Sequence, residues 1–219
     1  MVWRVNFFAL VATILFFPKL PGKQTSYGDE ISKAKTKIFA ISAIGLVILT
    51  TGVCISYSYI SEFLQTITHI VGINLSITLF LFGISSIFGT WLGGKLLMSK
   101  PNPTVLIYPF VLSTILFALY LLGSLTIPTV ILAIIWGALD GILNNILQYW
   151  ITSAAPDAPE FANGMFFSMM NVGITIGTSI GGYLIIGYDT NSIFIGSIVV
   201  LLLSVLVFGV RVKNYNSIT

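Results

Sequence analysis

Six apolar stretches, each about as long as a membrane is thick, constrain this chain more than any other feature of its sequence. A helix rises about 1.5 Å per residue, so about 20 apolar residues cross the hydrocarbon core of a bilayer. Only 8% of the 219 residues are charged, against about 25% in average soluble proteins. The sequence therefore predicts an all-α integral membrane protein with a six-helix transmembrane bundle. The predicted spans are approximately 38–60, 72–97, 104–123, 127–152, 163–187 and 191–210.

A seventh apolar run, from Val5 to Phe17, is too short for a full span and stops at Pro18. A signal peptide is one interpretation, but "FFPKLPG" has no small-residue cleavage site, and a truncated spanning helix fits better. The polar stretch "LPGKQTSYGDEISKAKTK" then separates this run from the bundle. Four segments are predicted: the end of a preceding transmembrane helix at 1–18, a cytoplasmic linker at 19–37, a six-helix domain at 38–210 and a cytoplasmic tail at 211–219.

Basic residues mark alternate connections between the spans. Lysines cluster in residues 19–37, Lys95 and Lys100 flank the next basic connection, and Arg211 and Lys213 follow the last span. Because Lys and Arg concentrate in cytoplasmic loops, these regions are predicted to lie inside the cell. The expected location is the plasma or inner membrane, with the C-terminus in the cytoplasm.

One span carries an acidic residue near its middle. Asp140 shares a helical face with Asn144 and Gln148, one and two turns further on. A carboxyl group inside the membrane is costly without a use or a partner, which makes this trio a candidate for binding a proton or substrate. A hydrogen-bonded structural trio is the alternative.

Three further polar residues are candidates for lining a substrate cavity. Tyr57 and Tyr59 lie at the predicted outer end of the first span, where tyrosines ordinarily anchor a helix at the membrane interface. Asn171 precedes a glycine-rich stretch and either lines a cavity or packs against another helix.

The glycine-rich stretch has a regular spacing. Gly173, Gly177 and Gly181 fall four residues apart, with Gly182 beside the last, so they form a side-chain-free seam on one helical face. Small residues let membrane helices approach closely, and static helix packing is the ordinary explanation of such a stripe. A seam that permits sliding or rocking is the functional alternative.

The sequence of this stretch, "GITIGTSIGG", resembles the gxxxGPxxGG pattern of drug/proton antiporters in the major facilitator superfamily, with Thr178 at the proline position. Residues 89–100, "GTWLGGKLLMSK", resemble the short cytoplasmic loop between the second and third helices of each facilitator half. Gly94 and Leu96 align there, Lys95 and Lys100 supply positive charge, and Met98 stands where the motif has aspartate.

Further stretches are similar to sugar-efflux and arabinose-efflux-like permeases of the same superfamily. "YSYISEFLQTITHI" resembles the end of their seventh helix, and "LQYWITSAAPDAPEFANGMFFSMMNVG" resembles their tenth-to-eleventh helix connection. "WRVNFF" resembles the opening of a sixth helix. The resemblance implies the C-terminal half of a transporter, whose partner is an N-terminal half absent from this chain or a second copy of it.

The sequence lacks the motifs of hydrolases and phosphate-binding enzymes, such as G-x-S-x-G, H-E-x-x-H and a phosphate loop. Cys54 is the single cysteine and His69 the single histidine in the sequence, so neither a disulfide within the chain nor a multi-histidine metal site is expected. We therefore predict no enzyme activity, cofactor, metal or nucleic-acid partner. The expected function is proton-coupled efflux of a small molecule through the bilayer. The alternatives are a non-transporting scaffold, a receptor-like bundle or an inactive truncated remnant.

Overall fold

The computed structural model describes residues 36–216, and all the regular secondary structure within them is α-helical. The helices are α1 (Lys37–Tyr57), α2 (Ile60–Thr66), α3 (Gly72–Ser99), α4 (Pro101–Leu122), α5 (Thr126–Thr152), α6 (Pro159–Gly187) and α7 (Ser192–Asn216). The predicted truncated helix at 1–18 and nearly all of the predicted linker at 19–37 lie outside the described residues.

Among residues 36–216, six spans are long and apolar enough to cross a membrane, which confirms the predicted fold class. The first of these spans combines α1 and the short helix α2. The chain breaks helical geometry at Ser58 and Tyr59 and resumes it at Ile60. Residues 61–66, which fall between the predicted spans 38–60 and 72–97, are therefore helical.

Two helices begin earlier than the sequence pattern predicts, because each starts with a proline. α4 starts at Pro101 and α6 at Pro159, three and four residues before the expected starts at 104 and 163. Proline is tolerated in the first turn of a helix, where its missing N–H has no intrahelical partner in any case. The connections at this end of the bundle are correspondingly short.

The last helix continues past the predicted boundary at residue 210 as far as Asn216. Arg211, expected at the start of a tail, is instead buried. Its guanidinium donates to the backbone carbonyl of Trp150 and, at 2.7 Å, to the hydroxyl of Ser153. It also lies 3.8 Å from the centroid of the Trp150 ring. The last carbonyls of a helix lack intrahelical donors, so this arginine supplies a donor to the Trp150 carbonyl and links α7 to the C-terminal end of α5.

Packing in the bundle is dominated by helix pairs that approach closely. α1 packs against both α6 and α7, α3 packs against α5, and α4 packs against α7 and α5. In an apolar 18-residue stretch of the first span 61% of the residues are buried, against 17% in the corresponding stretches of α3 and α6. α1 is therefore central, whereas α3 and α6 present wide faces outward.

Candidate functional site

The candidate site centres on Asp140, near the middle of α5. This carboxyl group is partly buried, and the hydroxyl of Ser86 on α3 donates to it across 3.5 Å. No ion pair to Asp140 is found among the described residues. A carboxylate at this depth, with one hydroxyl donor and partial exposure, is able to exchange a proton with a cavity or to bind a polar ligand group.

Three aromatic rings cluster beside the turns of α3 and α5 that carry Ser86 and Asp140. Trp136 is one turn before Asp140 on α5, and Phe82 is one turn before Ser86 on α3. The rings of Phe82 and Trp136 are 5.8 Å apart, and Tyr57 on α1 lies 6.0 Å from the first and 6.5 Å from the second. Phe82 and Trp136 are buried, whereas Tyr57 is 41% exposed. The structure therefore brings Tyr57 and Asp140, two of the predicted residues, into one region.

The other two members of the predicted trio lie on the open side of α5. Asn144 and Gln148 are both exposed, and the Asn144 amide donates to the backbone carbonyl of Asp140 at 3.2 Å rather than to the carboxylate. The trio is thus not closed by hydrogen bonds among its side chains. Asn144 and Gln148 form a polar strip on a spanning helix that this bundle leaves uncovered, and the partly buried Asp140 lies at its mid-span end.

Tyr59 does not join the carboxyl group but faces α6. Its hydroxyl donates to the backbone carbonyl of Thr178 at 2.8 Å, and the hydroxyls of Ser58 and Thr178 are also 2.8 Å apart. Both contacts join the break between α1 and α2 to the glycine helix. Asn171 is exposed on α6, and its amide donates to the carbonyl of Phe167 within the same helix at 2.8 Å.

The glycine seam of α6 packs against α1. Gly173, Gly177 and Gly181 are buried, and a β-carbon at any of them would meet backbone atoms of α1. At Gly177, for example, it would lie 2.6 Å from the carbonyl oxygen of Thr51. A β-carbon at Gly182 would lie 2.7 Å from the hydroxyl of Tyr59. These residues hold two spans together and leave the opposite face of α6 outward.

The stretch that resembles a cytoplasmic loop is helical almost throughout. Gly94 and Lys95 lie inside the last turns of α3, and only Lys100 separates α3 from α4. Of the three residues of the predicted cytoplasmic loop motif, Gly94 and Lys95 therefore lie in a helix, inside the predicted span 72–97, and Lys100 lies in the connection. The Lys95 ammonium lies 3.7 Å from the centroid of Trp91 on the same helix.

Sequence reasoning missed the residues that complete the region around Asp140. Ser86, Phe82 and Trp136 are ordinary components of apolar helices, and their sequence positions do not show that α3 packs on α5. A usable signal was present in the glycines, since Gly89 and Gly93 on α3 and Gly137 and Gly141 on α5 have the same four-residue spacing as the seam of α6.

These features define a class: a multi-pass membrane bundle with a carboxyl group and a polar strip inside its spans. No group of three or more His, Cys, Asp or Glu side chains that could hold a metal ion occurs in the part of the chain that the structure describes.

Comparison with known proteins sharpens this class. No protein-family model matches the chain. It is 28% identical to the inner membrane transport protein YdhP of Escherichia coli (strain K12) over 218 residues. This alignment covers 94% of this chain and 56% of YdhP. YdhP of Escherichia coli O157:H7 matches with the same identity and coverage. The transcription regulatory protein OpdE of Pseudomonas aeruginosa is 27% identical over 149 positions, or 68% of this chain and 37% of OpdE.

The chain is therefore homologous to an inner membrane transport protein along most of its length, and it spans about half the length of YdhP. Together with the six spans, this relationship supports a multi-pass protein of the inner membrane. The narrower resemblance to drug/proton antiporters and sugar-efflux permeases stays a prediction.

Proposed function

We propose that this bundle is one six-helix half of a transporter of the major facilitator type, which exports a small molecule such as a sugar or a drug by alternating access. The relationship to YdhP supports the transport function. A second six-helix half, on the same polypeptide, on another chain or as a second copy of this chain, completes the transporter. In transporters built from such repeats, the substrate site lies near the membrane midplane between the two halves.

The uncovered polar strip on α5 carries this proposal. Asp140 lies at mid-span, and Asn144 and Gln148 extend the strip by two turns without being covered by another helix of the bundle. Exposing amide and carboxyl groups to lipid is costly, so this side of α5 faces a cavity or the second half. In the proposed mechanism Asp140 binds the coupled proton, while Tyr57, Asn144 and Gln148 line the substrate cavity. Asn171, exposed on α6, is a further cavity-lining candidate.

Replacing Asp140 tests this mechanism directly. Asp140→Asn keeps the shape of the side chain but removes its ability to take up and release a proton. In proteoliposomes of the complete protein, a panel of labelled sugars and drugs would first identify a compound moved by an imposed pH gradient. The variant should lose gradient-driven accumulation of that compound while retaining its exchange across the membrane without a gradient.

The matched control is Asp157→Asn, the same chemical change in the exposed connection between α5 and α6, which should transport normally. Normal gradient-driven transport by Asp140→Asn would remove Asp140 from proton coupling. Loss of exchange as well as accumulation would mean that the side chain binds substrate or holds the fold. If no compound shows gradient-linked movement, the transport proposal itself fails.

The proposed orientation places the end that carries Lys37, Lys100 and Lys213 in the cytoplasm, because basic residues concentrate there. Cys54 is the only cysteine and is buried, so Cys54→Ser gives a clean background for labelling. In intact cells, an impermeant maleimide should label His69→Cys, whereas Lys100→Cys should react only after permeabilisation. The reverse pattern would invert the proposed topology.

A second candidate function is regulation without transport. It is favoured by the match to OpdE, whose name describes a transcription regulatory protein. Under this alternative, the bundle is a membrane scaffold that binds a partner. This alternative predicts that the complete protein shows no gradient-linked flux. It also predicts that substitutions in the polar strip weaken partner binding. The flux measurements above separate the two functions.

A further inference from the structure

The contact between α1 and α6 changes in character along its length. Gly173 faces Thr50, and a β-carbon added at Gly177 would lie 2.9 Å from the β-carbon of Cys54. Glycines against small side chains let the two helices approach closely, but they interlock few large groups. Toward the end of α1 the contact is completed in another way, by an aromatic ring.

Tyr59 closes this end of the contact. An added β-carbon at Gly181 would lie 2.6 Å from the Tyr59 ring, and one at Gly182 would lie 2.7 Å from its hydroxyl. The two adjacent glycines therefore form a seat for the ring, and the hydroxyl donates to the carbonyl of Thr178 at 2.8 Å. The ring is thus held by one hydrogen bond and by a surface that any side chain at either glycine would obstruct.

The backbone that carries this ring is interrupted. Ser58 and Tyr59 lie between α1 and α2, and the Tyr59 amide donates to the carbonyl of Ser56, three residues back, at 3.1 Å. Residues at the ends of helices can absorb the backbone rotations of a hinge. The other bond at this point, between the hydroxyls of Ser58 and Thr178, is exposed, so water competes for it. The contact at Tyr59 can therefore open without unwinding α1 or α6.

Opening at Tyr59 uncovers the part of the contact that lies behind it. α6 packs mainly against α1 and much less against α5 and α7, so its end can move away from α1 with little loss of other packing. Cys54, about one turn before the break, is only 8% exposed and lies against α6 at Gly177. Exposure of this thiol therefore reports separation of the two helices.

We propose that Tyr59 is a latch on the contact between α1 and α6. Bonded to Thr178 and seated on Gly181 and Gly182, it holds the end of α6 closed, and its release opens the contact as far as Cys54. The latch belongs to a single bundle and does not rest on the proposed transport function.

Alkylation of Cys54 by N-ethylmaleimide, followed on the peptide that contains this residue, measures the opening in the complete protein in detergent. When opening and closing are fast, the alkylation rate follows the population of the open form. Tyr59→Phe keeps the ring but removes its hydrogen bond, so Cys54 should react about three- to tenfold faster. Tyr183→Phe, the same change at an exposed position of α6, should leave the rate unchanged. An unchanged rate in Tyr59→Phe would overturn the latch.

A second variant tests the glycine seat without altering the tyrosine. Gly182→Ala places a β-carbon against the Tyr59 hydroxyl and should raise the alkylation rate of Cys54 by a similar factor. Gly187→Ala is the matched control, because an added β-carbon there meets no atom within 4 Å. If Gly182→Ala reacts no faster than Gly187→Ala, the ring is not held on this seat and the proposed latch fails.

A second thiol separates local opening from general loosening of the bundle. Ser204 on α7 is fully buried, so Ser204→Cys introduces a protected thiol away from α6. Combined with Tyr59→Phe, this thiol should react at the same slow rate as in the otherwise unmodified protein, while Cys54 reacts faster. Faster reaction of both thiols would show that the whole bundle opens, and would overturn the latch.

Discussion

Two helix pairs in this bundle achieve close approach by different means. α3 and α5 contribute glycines to each other: Gly89 faces the backbone of Ala138, and Gly137 and Gly141 face backbone atoms of α3. The contact between α1 and α6 is unequal, because Gly173, Gly177 and Gly181 are all on α6. They face Thr50, Thr51 and Ile55 of α1 and Tyr59 in the break that follows α1. In the first, reciprocal contact both helices contribute glycines. The second is one-sided.

The difference lies in what each contact can tolerate. In the reciprocal pair, a β-carbon added at Gly89, Gly137 or Gly141 would meet main-chain atoms of the facing helix, which move only with that whole helix. In the one-sided pair, side-chain hydroxyls complete the contact: Thr51 donates to the carbonyl of Gly173 at 3.3 Å, and Tyr59 donates to the carbonyl of Thr178. Such bonds can be exchanged as helices shift. We therefore expect α3 and α5 to move as a unit and α6 to be the more adjustable helix.

The largest loss of stability is expected from a substitution in the contact between α3 and α5. Gly141→Ala would place its β-carbon against the carbonyl of Ser86 and 2.6 Å from the amide nitrogen of Thr90. Overpacking of this kind costs about 1–3 kcal/mol, and we expect the upper end because only backbone is available to move. The measurement is thermal stability of the purified protein in detergent.

The matched control for this change is Gly83→Ala on α3, where an added β-carbon meets no atom within 4 Å. It should leave stability within about 0.5 kcal/mol. If Gly141→Ala is as stable as Gly83→Ala, the two helices do not form a rigid pair.

Sequence alone could predict the spans of this bundle but not their partners. The bilayer sets the length and apolarity of a spanning helix, so the six stretches can be found one at a time. The glycines of α6 could be recognised because all of them are on one helix. Gly89 and Gly141 are 52 positions apart, and their role in close packing can be recognised only once α3 is known to pack against α5. Association of membrane helices depends on close packing rather than on apolarity, so hydropathy does not identify the partner.

The candidate site was predictable only in part for the same reason. Asp140 stands out because a carboxyl group in a membrane span is rare, and its helical face follows from the spacing of Asn144 and Gln148. Ser86 and Trp136 do not stand out, since serine and tryptophan are common in such helices. Arg211 was predicted to lie in a tail because charge ordinarily marks the end of a span, whereas pairing with the end of α5 lets the charge be buried.

A smaller loss of stability is expected in the one-sided contact. Gly177→Ala places its β-carbon 2.6 Å from the carbonyl oxygen of Thr51, so it should cost about 1–2 kcal/mol. Gly177→Leu should impair assembly of the bundle, because a branched side chain cannot fit against α1. Gly164→Ala, an exposed position on the same helix with no atom within 4 Å, is the control. Unchanged stability in Gly177→Leu would mean that α6 turns its seam away from α1 in the membrane.

The smallest effect, and the sharpest test of an adjustable α6, is expected at Thr178. Thr178→Val keeps the branched shape but removes the hydroxyl that pairs with Ser58 at 2.8 Å, while the bond from Tyr59 to the Thr178 carbonyl is retained. The cost should be about 0.5 kcal/mol, because the contact is partly exposed to solvent. Thr175→Val is the matched control, since that hydroxyl bonds only to the carbonyl of Asn171 in its own helix.

Hydrogen exchange separates the two variants where global stability cannot. If the Ser58–Thr178 contact restrains α6, amides around Thr178 should exchange severalfold faster in Thr178→Val than in Thr175→Val, while amides of α3 and α5 stay unchanged. Equal exchange in both variants would assign the restraint to the glycine seam alone. Faster exchange in α3 and α5 as well would show that the two helix pairs open together, and the proposed division into a rigid pair and an adjustable helix would fail.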